Sequence, residues 1–234
     1  MIIKGSEIIE KGRPLDAENP PRFSIEWSPS YNFCVDFEKG SDRADECEFD
    51  PGNAAGIGGF GNSTTTYITA WIDRKYGEVL VVRGKKPKTP TTYFGDPIFH
   101  EGDLRYFTWA TNGSMYNAAV TDSVFDEEMP VDENGYYTVV VSRPSYRPKK
   151  ARYECGYAWV EFPPNGDGAG DIYLAELRNR WQLADENFEE APQNQCRKKP
   201  GKEPKFMGEY FPVGEYMSPE EFDQNFECKL RLAQ

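Results

Sequence analysis

The side chains able to do polar chemistry in this chain fall in or beside runs of strand-like sequence: Asn62, Thr66, Tyr67, Arg105, Tyr106, Trp159, Arg178 and Arg180. If Asn62, Tyr67, Arg105 and Arg178 converge on one cleft, their guanidinium groups supply a fork for a carboxylate or a sugar, and Tyr67 or Trp159 a stacking plate. In an enzyme, Tyr67 would act as acid/base while Arg105 stabilises a developing anion. The plainer alternative pairs Arg105 and Arg178 with buried acids such as Asp73 or Glu161 and leaves the rings to the core. It is preferred, because an inward Arg on a sandwich needs a counter-charge.

Other chemistries are narrower. His100 is the one histidine, so any Ser-His-Asp or Cys-His nucleophile system would have to use it, and no GxSxG elbow accompanies it. A site built from several histidines is excluded within one chain. Asn165, Asp167 and Asp171 imitate the start of a calcium loop, but position five is Ala169 and Phe162-Pro163-Pro164 forbids the entering helix, so a turn between strands is preferred. The acidic stretches 42–50 and 122–132 are read as solvated, with calcium as the one metal they could hold. No cofactor is expected. The run Gly56-Ile57-Gly58-Gly59-Phe60-Gly61 lacks the strand-before, helix-after setting of a dinucleotide fingerprint.

These residues must be positioned by short strands. Aromatic content is 15%, with 21 Gly and 18 Pro, and the chain offers few helical patterns, which favours an all-β sandwich, jelly-roll-like, with a few short helices near the C-terminus. The run Tyr136 to Ser142 is apolar on both faces and enters from the turn Asp132-Glu133-Asn134-Gly135, as expected of a strand covered on both sides. Strands are also expected over 22–37, 64–73, 104–110, 153–162 and 172–181. The run 78–83 is expected beside 64–73, joined by the turn 74–77. Residues 84–97, with three prolines, form an extended surface connection. A short helix is expected at 183–191, and another opens at Ser218 with Pro219 and Glu221 completing a capping box, its Phe222 and Phe226 docking on the sandwich. The organisation is then an arm (1–21), a single sandwich (22–182) and a tail packed on it (183–234).

Composition bounds the partners. Thirty-nine acidic against 27 basic side chains give a net charge of −12, which repels phosphate backbones and anionic lipid. Nucleic acid is therefore not an expected partner, and no run is long and apolar enough to span a bilayer. Five cysteines without a CxxC pair point away from a zinc ribbon and toward an oxidising, extracytoplasmic compartment, with the mature chain left after signal removal. Cys34 and Cys47 flank an acidic loop, and Cys196 and Cys228 a tail with little core, where a crosslink would matter most. Cys155, on an expected strand, reads as a candidate free thiol. Asn62-Ser63-Thr64 and Asn112-Gly113-Ser114 are formal glycosylation sequons.

Two stretches carry a resemblance. Residues 60–73 (FGNSTTTYITAWID) followed by VLVVRGK resemble the Asn-x-x-Thr-x-Tyr signature of a bacterial secreted family, domain of unknown function twelve fifty-four. The run from Leu104-Arg105-Tyr106-Phe107 through Gly135 to Ser142, then 157–164 (YAWVEFPP) and 174–181 (LAELRNRW), resembles its companion, domain of unknown function twelve-fourteen. The tail MGEYFPVGEYMSPEEF is similar to a compact actinobacterial-type version. The likeness spans about two thirds of the chain and implies an exported β-sandwich without an assigned activity. Ala110 and Met217 stand where many relatives carry cysteine, so the family's crosslinks do not transfer. Taken together, an exported binding or assembly module for a protein partner, for its own copies or for a glycan is expected. The alternative is a hydrolase or lyase acting on a carbohydrate-like or carboxylate substrate through Tyr, Arg and carboxylate chemistry.

Overall fold

In the computed structural model, residues 21–26, 31, 34–39, 41–48, 64–98, 101–113, 119–195 and 201–228 are described. They form two sheets and two short helices. The strands are β1 (Ser24–Ile25), β2 (Thr65–Asp73), β3 (Val79–Lys85), β4 (Leu104–Asn112), β5 (Val120–Phe125), β6 (Tyr136–Ser142), β7 (Ala158–Glu161), β8 (Leu174–Ala184) and β9 (Val213–Met217). The helices are α1 (Glu203–Met207) and α2 (Pro219–Asn225). One sheet has the order β1-β2-β8-β4-β5, the other β7-β6-β3-β9. All pairings are antiparallel except β6 with β7.

The alternation of each strand decides which side chains meet between the sheets. Ile68, Ala70, Ile72, Leu177, Trp181, Phe107 and Trp109 from the first sheet face Leu80, Val82, Tyr137, Val139, Val141 and Val160 from the second, all buried in one core. Its centre is aromatic: Phe107 lies edge-on to Trp181 and tilted against Tyr137, with centroids 5.5 and 5.6 Å apart. The other face of the second sheet is covered too. Val79, Val81, Val140 and Met217 pack with Ala151 and Phe222 in a second cluster, and Tyr157, Trp159 and Phe226 border it. Helix α2 is the cover, as its pattern foretells: Ser218 accepts from the Glu221 N–H while Glu221 accepts from the Ser218 N–H, and Phe222 stacks on Phe226 at 4.4 Å. β6 is therefore buried on both faces.

Four expectations are corrected. β2 and β3 are not neighbours: the turn after Asp73 carries the chain from one sheet to the other, so that Ile72 and Leu80 both reach the shared core. The turn is fixed from the second sheet, the Tyr216 hydroxyl accepting from the Asp73 N–H at 2.9 Å. Cys34 to Phe37 is no strand. A helical turn (Cys34–Lys39) and a 3-10 turn (Ser41–Glu46) fold the chain back, so that Cys34 and Cys47 bridge with their Cα atoms 5.8 Å apart, a span no extended 13-residue run permits. Residues 183–191 are no helix. Leu183 and Ala184 still belong to β8, and the Asp185 carboxylate then accepts the Asn187 N–H at 2.8 Å, turning the chain so that Phe188 stacks on Trp181. Cys155 is not free: it bridges to Cys228, across 73 positions of sequence.

The segment beyond residue 182 also supplies β9, an edge strand of the second sheet. No helix among the described residues is long and apolar enough to cross a membrane. The N-terminal arm up to residue 20, the 56–61 glycine run and Cys196 lie outside the described residues.

Candidate functional site

Of the polar residues singled out above, Tyr67, Tyr106, Arg178 and Arg180 fall on the outer face of the first sheet. Across β2, β8 and β4 the register sets three rows: Trp71, Glu176 and Asn112; Thr69, Arg178 and Ala110; Tyr67, Arg180 and Thr108. Partners in a row share a face, and successive rows are two residues apart, so all nine side chains stand on the same side. The trough they make is closed at one end and open at the other. Trp71, Glu176 and Asn112 are buried, while Arg180 is exposed.

Arg178 sits in the middle row between two carboxylates. Its Nε lies 2.8 Å from Glu176 Oε2, and its Nη2 3.8 Å from Glu26 Oε1, just beyond β1. Burial alone would weaken the hold of Arg178 on its proton, but Glu176 and Glu26 overcome it and raise its pKa. Burial dominates at Glu26 and pushes its carboxyl up, with Arg178 opposing. Arg178 thus has counter-charges, as a largely buried Arg requires, but it stands on the outer face of the sheet and its partners are Glu176 and Glu26 rather than Asp73 or Glu161. The sequence held a signal for the first: two residues apart on a strand, Glu176 and Arg178 must share a face. Glu26 comes from a distant edge strand and left no such trace. Asn112 stands beside Glu176 with its Oδ1 buried and without a hydrogen-bond partner among the described residues. At 3% exposure its side chain is not available as a glycan acceptor in the folded chain.

Tyr67 belongs to the same constellation. Its hydroxyl accepts from Arg180 Nε and Nη2 at 3.0 and 2.7 Å, and its ring carries the Arg178 and Arg180 guanidinium groups at 5.5 and 5.4 Å. So Tyr67, Arg178 and Arg180 come together. Arg105 does not join them. It lies three residues from Thr108 on β4, an odd separation that turns it to the opposite face from Tyr67. Thr66, paired with Trp181, likewise faces inward, whereas Tyr106, paired with Gln182, is on the Tyr67 side. Trp159 is on the other sheet, where its Nε1 donates to Ser142 Oγ at 2.9 Å and the Arg147 guanidinium covers its ring at 4.3 Å. Asn62 and His100 lie outside the described residues.

The loop from Asn165 to Asp171 is closed on itself. The buried Asp167 carboxylate accepts the N–H groups of Ala169, Gly170 and Asp171 at 2.8 to 3.0 Å through its Oδ1. The carboxylate thereby stitches the turn between β7 and β8. Among the described residues no three His, Cys, Asp or Glu side chains converge as metal ligands.

A second feature sits at the end of the proline-bearing connection after β3. Tyr93, Phe94 and Ile98 are 81, 75 and 61% exposed. Their backbone is nevertheless fixed from below. Glu127 accepts from Thr92 Oγ1 at 3.0 Å and from the Tyr93 N–H at 2.9 Å. Asp96 accepts from the N–H and hydroxyl of Thr91 at 2.9 and 2.6 Å, and Asp103 from the Lys88 N–H at 2.8 Å. Gly95, at φ +109°, allows the tight turn that puts both rings outward. The rings meet edge to face, 5.2 Å apart.

No family model matches the chain, and no curated protein matches it. One solved structure that is similar, an uncharacterised protein from Burkholderia cenocepacia, shares 16% identity with a TM-score of 0.35, over 55% of this chain and 27% of that one. The chain thus spans about a quarter of the length of that protein.

Proposed function

We propose that the protein is an exported binding or assembly module that engages a protein partner through the Tyr93, Phe94 and Ile98 projection. The observation that carries this reading is large apolar side chains held out in water on a backbone pinned by Glu127, Asp96 and Asp103. Adjacent exposed rings on a pre-ordered loop lose little entropy on docking and have much area to bury, the profile of an interface anchor. Their edge-to-face packing favours a protein pocket over a sugar, because it presents no flat plate for a pyranose ring. Two disulfides support an extracytoplasmic setting. The resemblance to the secreted twelve fifty-four and twelve-fourteen families sits with the same reading.

The hydrolase or lyase alternative draws less support. Tyr67 and Arg105 face opposite sides of the sheet, and Arg178 is taken up by Glu176 and Glu26. A photo-crosslinking residue at position 94, irradiated in the producing cells, tests the proposal. A discrete heteromeric or homodimeric adduct is expected, diminished by Tyr93→Ser. Diffuse background labelling alone, together with a monomer at all concentrations by sedimentation velocity, would sink it. Specific glycan-array binding lost in Tyr93→Ser would replace the protein partner by a sugar.

A further inference from the structure

Two bridges staple this chain, and their sulfurs stand in different surroundings. Arg152 opens the 3-10 turn Tyr153–Cys155, which is closed by the Cys155 N–H donating to the Arg152 carbonyl at 3.0 Å. That turn sets the guanidinium against the sulfur, and Arg152 Nε donates to Cys155 Sγ at 3.3 Å. Cys155 is 2% exposed, whereas Cys228 is only half-buried and forms the more accessible end of the bond. At the Cys34–Cys47 bridge the nearby cations are already paired, Lys39 and Arg43 both lying on the Glu46 carboxylate at 3.1 and 2.6 Å. No side chain among the described residues donates to either of those sulfurs.

We propose that the Cys155–Cys228 bridge is a site of thiol–disulfide exchange, opened by a dithiol that attacks Cys228 and expels Cys155 as a thiolate held by Arg152. The argument rests on the bridge alone and is independent of the docking reading. Exchange is fastest where the attacked sulfur is accessible and the departing one is stabilised as an anion. The two requirements fall on opposite ends of this one bond. Opening does not unseat the tail, because Lys150 Nζ donates to the Phe226 carbonyl at 2.9 Å and the Tyr157 hydroxyl to the Glu227 carbonyl at 2.6 Å. The Asp223 carboxylate also accepts the N–H groups of Lys149 and Lys150 at 3.1 and 3.0 Å. The two sulfurs therefore stay near each other, and oxidation can close the bond again.

The electrons balance with the dithiol as reductant. Its first thiolate forms a sulfur–sulfur bond to Cys228 while the Cys155–Cys228 bond breaks and leaves its electron pair on Cys155. The second thiolate of the dithiol then attacks its own sulfur in the mixed disulfide and releases Cys228. The two protons of the dithiol end on Cys155 and Cys228. Dithiol and protein disulfide become cyclic or paired disulfide and two protein thiols, a transfer of two electrons.

Glutathione reads the direction of the first step. Free thiols of the intact protein are blocked with N-ethylmaleimide, glutathione is added without oxygen, and samples are stopped with iodoacetamide at short intervals. Peptides are then mapped by mass spectrometry without reduction. The first product is expected to carry glutathione on Cys228 and iodoacetamide on Cys155, and to form before Cys34–Cys47 opens. Arg152→Gln should slow its formation by about threefold, a charge-assisted hydrogen bond weakened by solvent and half felt at the leaving sulfur. A purely structural Arg152 predicts the opposite sign, since loosening the turn would expose the bond and speed its opening. Glutathione on Cys155, earlier opening of Cys34–Cys47, or an Arg152→Gln rate equal to or above the native one would each overturn the proposal. If Arg152→Gln does not fold, the position of the adduct in the native protein decides.

Discussion

Arg180 donates through both Nε and Nη2 to a single oxygen, the hydroxyl of Tyr67, its direct partner across β2 and β8. The phenol is thereby a structural acceptor at the open end of the trough whose closed end holds Glu176 and Asn112. Tyr67→Phe should cost about 1 kcal/mol or less in chemical denaturation, since Arg180 is exposed and water replaces the lost acceptor. A loss of several kcal/mol would mean that Tyr67 holds more than Arg180.

Arg178 is a different matter, because Glu176 is 1% exposed. Arg178→Ala leaves that carboxylate buried without its cation and should destabilise the fold by about 3 to 5 kcal/mol. Arg178→Ala combined with Glu176→Gln should recover part of the loss, and a double-mutant cycle measures how much. Strict additivity of the two changes would refute the pairing.

Glu26 makes a pH prediction. Its folded pKa is raised above the ordinary 4.5, burial being the larger cause, so in the window above 4.5 the native state holds a proton that the unfolded state has released. Stability from this group is present at low pH and falls as pH rises through the folded value. Relative to Glu26→Gln, the native protein should be more favourable at pH 4 than at pH 7. A stability difference between the two that does not change over this range would exclude the buried carboxyl as its source.

Gly84 and Tyr137 face each other across β3 and β6, and a Cβ on Gly84 would lie 2.6 Å from the Tyr137 hydroxyl oxygen. Gly84→Ala should therefore cost about 1 to 3 kcal/mol through overpacking of a fully buried ring. Tyr137→Phe, which removes the nearest obstructing atom but leaves Cζ 3.0 Å from the new Cβ, should relieve part of that cost in the double variant. Thermal unfolding of the four proteins in the cycle provides the test.

Cys155 and Cys228 close a loop of 73 positions, for which restriction of the unfolded chain is worth about 4 kcal/mol. Cys228→Ser should lower stability by about 2 to 4 kcal/mol and loosen α2 first, seen as early hydrogen exchange at Phe222 and Phe226. Uniform loss of protection across β6 as well would show that the bridge serves the whole fold equally.

What could be read ahead of the structure was what local chemistry decides. Tyr136 to Ser142 is β-branched and aromatic on both faces, and it is the strand covered on both sides. The Ser218, Pro219 and Glu221 signature is complete within four residues, and the helix starts there. The failures lie where a distant partner outweighs the local pattern. Tyr31 to Phe37 alternates like a strand, yet the Cys34 to Cys47 bridge bends it. Leu183 to Ala191 has a helical composition, yet Asp185 captures the Asn187 N–H and Phe188 goes to Trp181. A four-residue turn after Asp73 serves a hairpin or a crossing between sheets equally well, and only the two-sided core decides which. At the candidate site, period two places Glu176 with Arg178, but the arrival of Glu26 and Asn112 depends on the sheet register. The rings of Tyr93 and Phe94 look like any loop residues until the structure shows both of them exposed.

Both β9 and α2 lie between the two ends of the Cys155–Cys228 bridge. A protease that severs the backbone after the exposed Lys202 would leave two polypeptides still tethered through sulfur. Such a nicked molecule would migrate as one species until a reductant is added. Its detached C-terminal piece could lift away from β3 and re-anneal without ever diffusing free, so proteolysis at that point would damage the protein far less than its place in the chain implies.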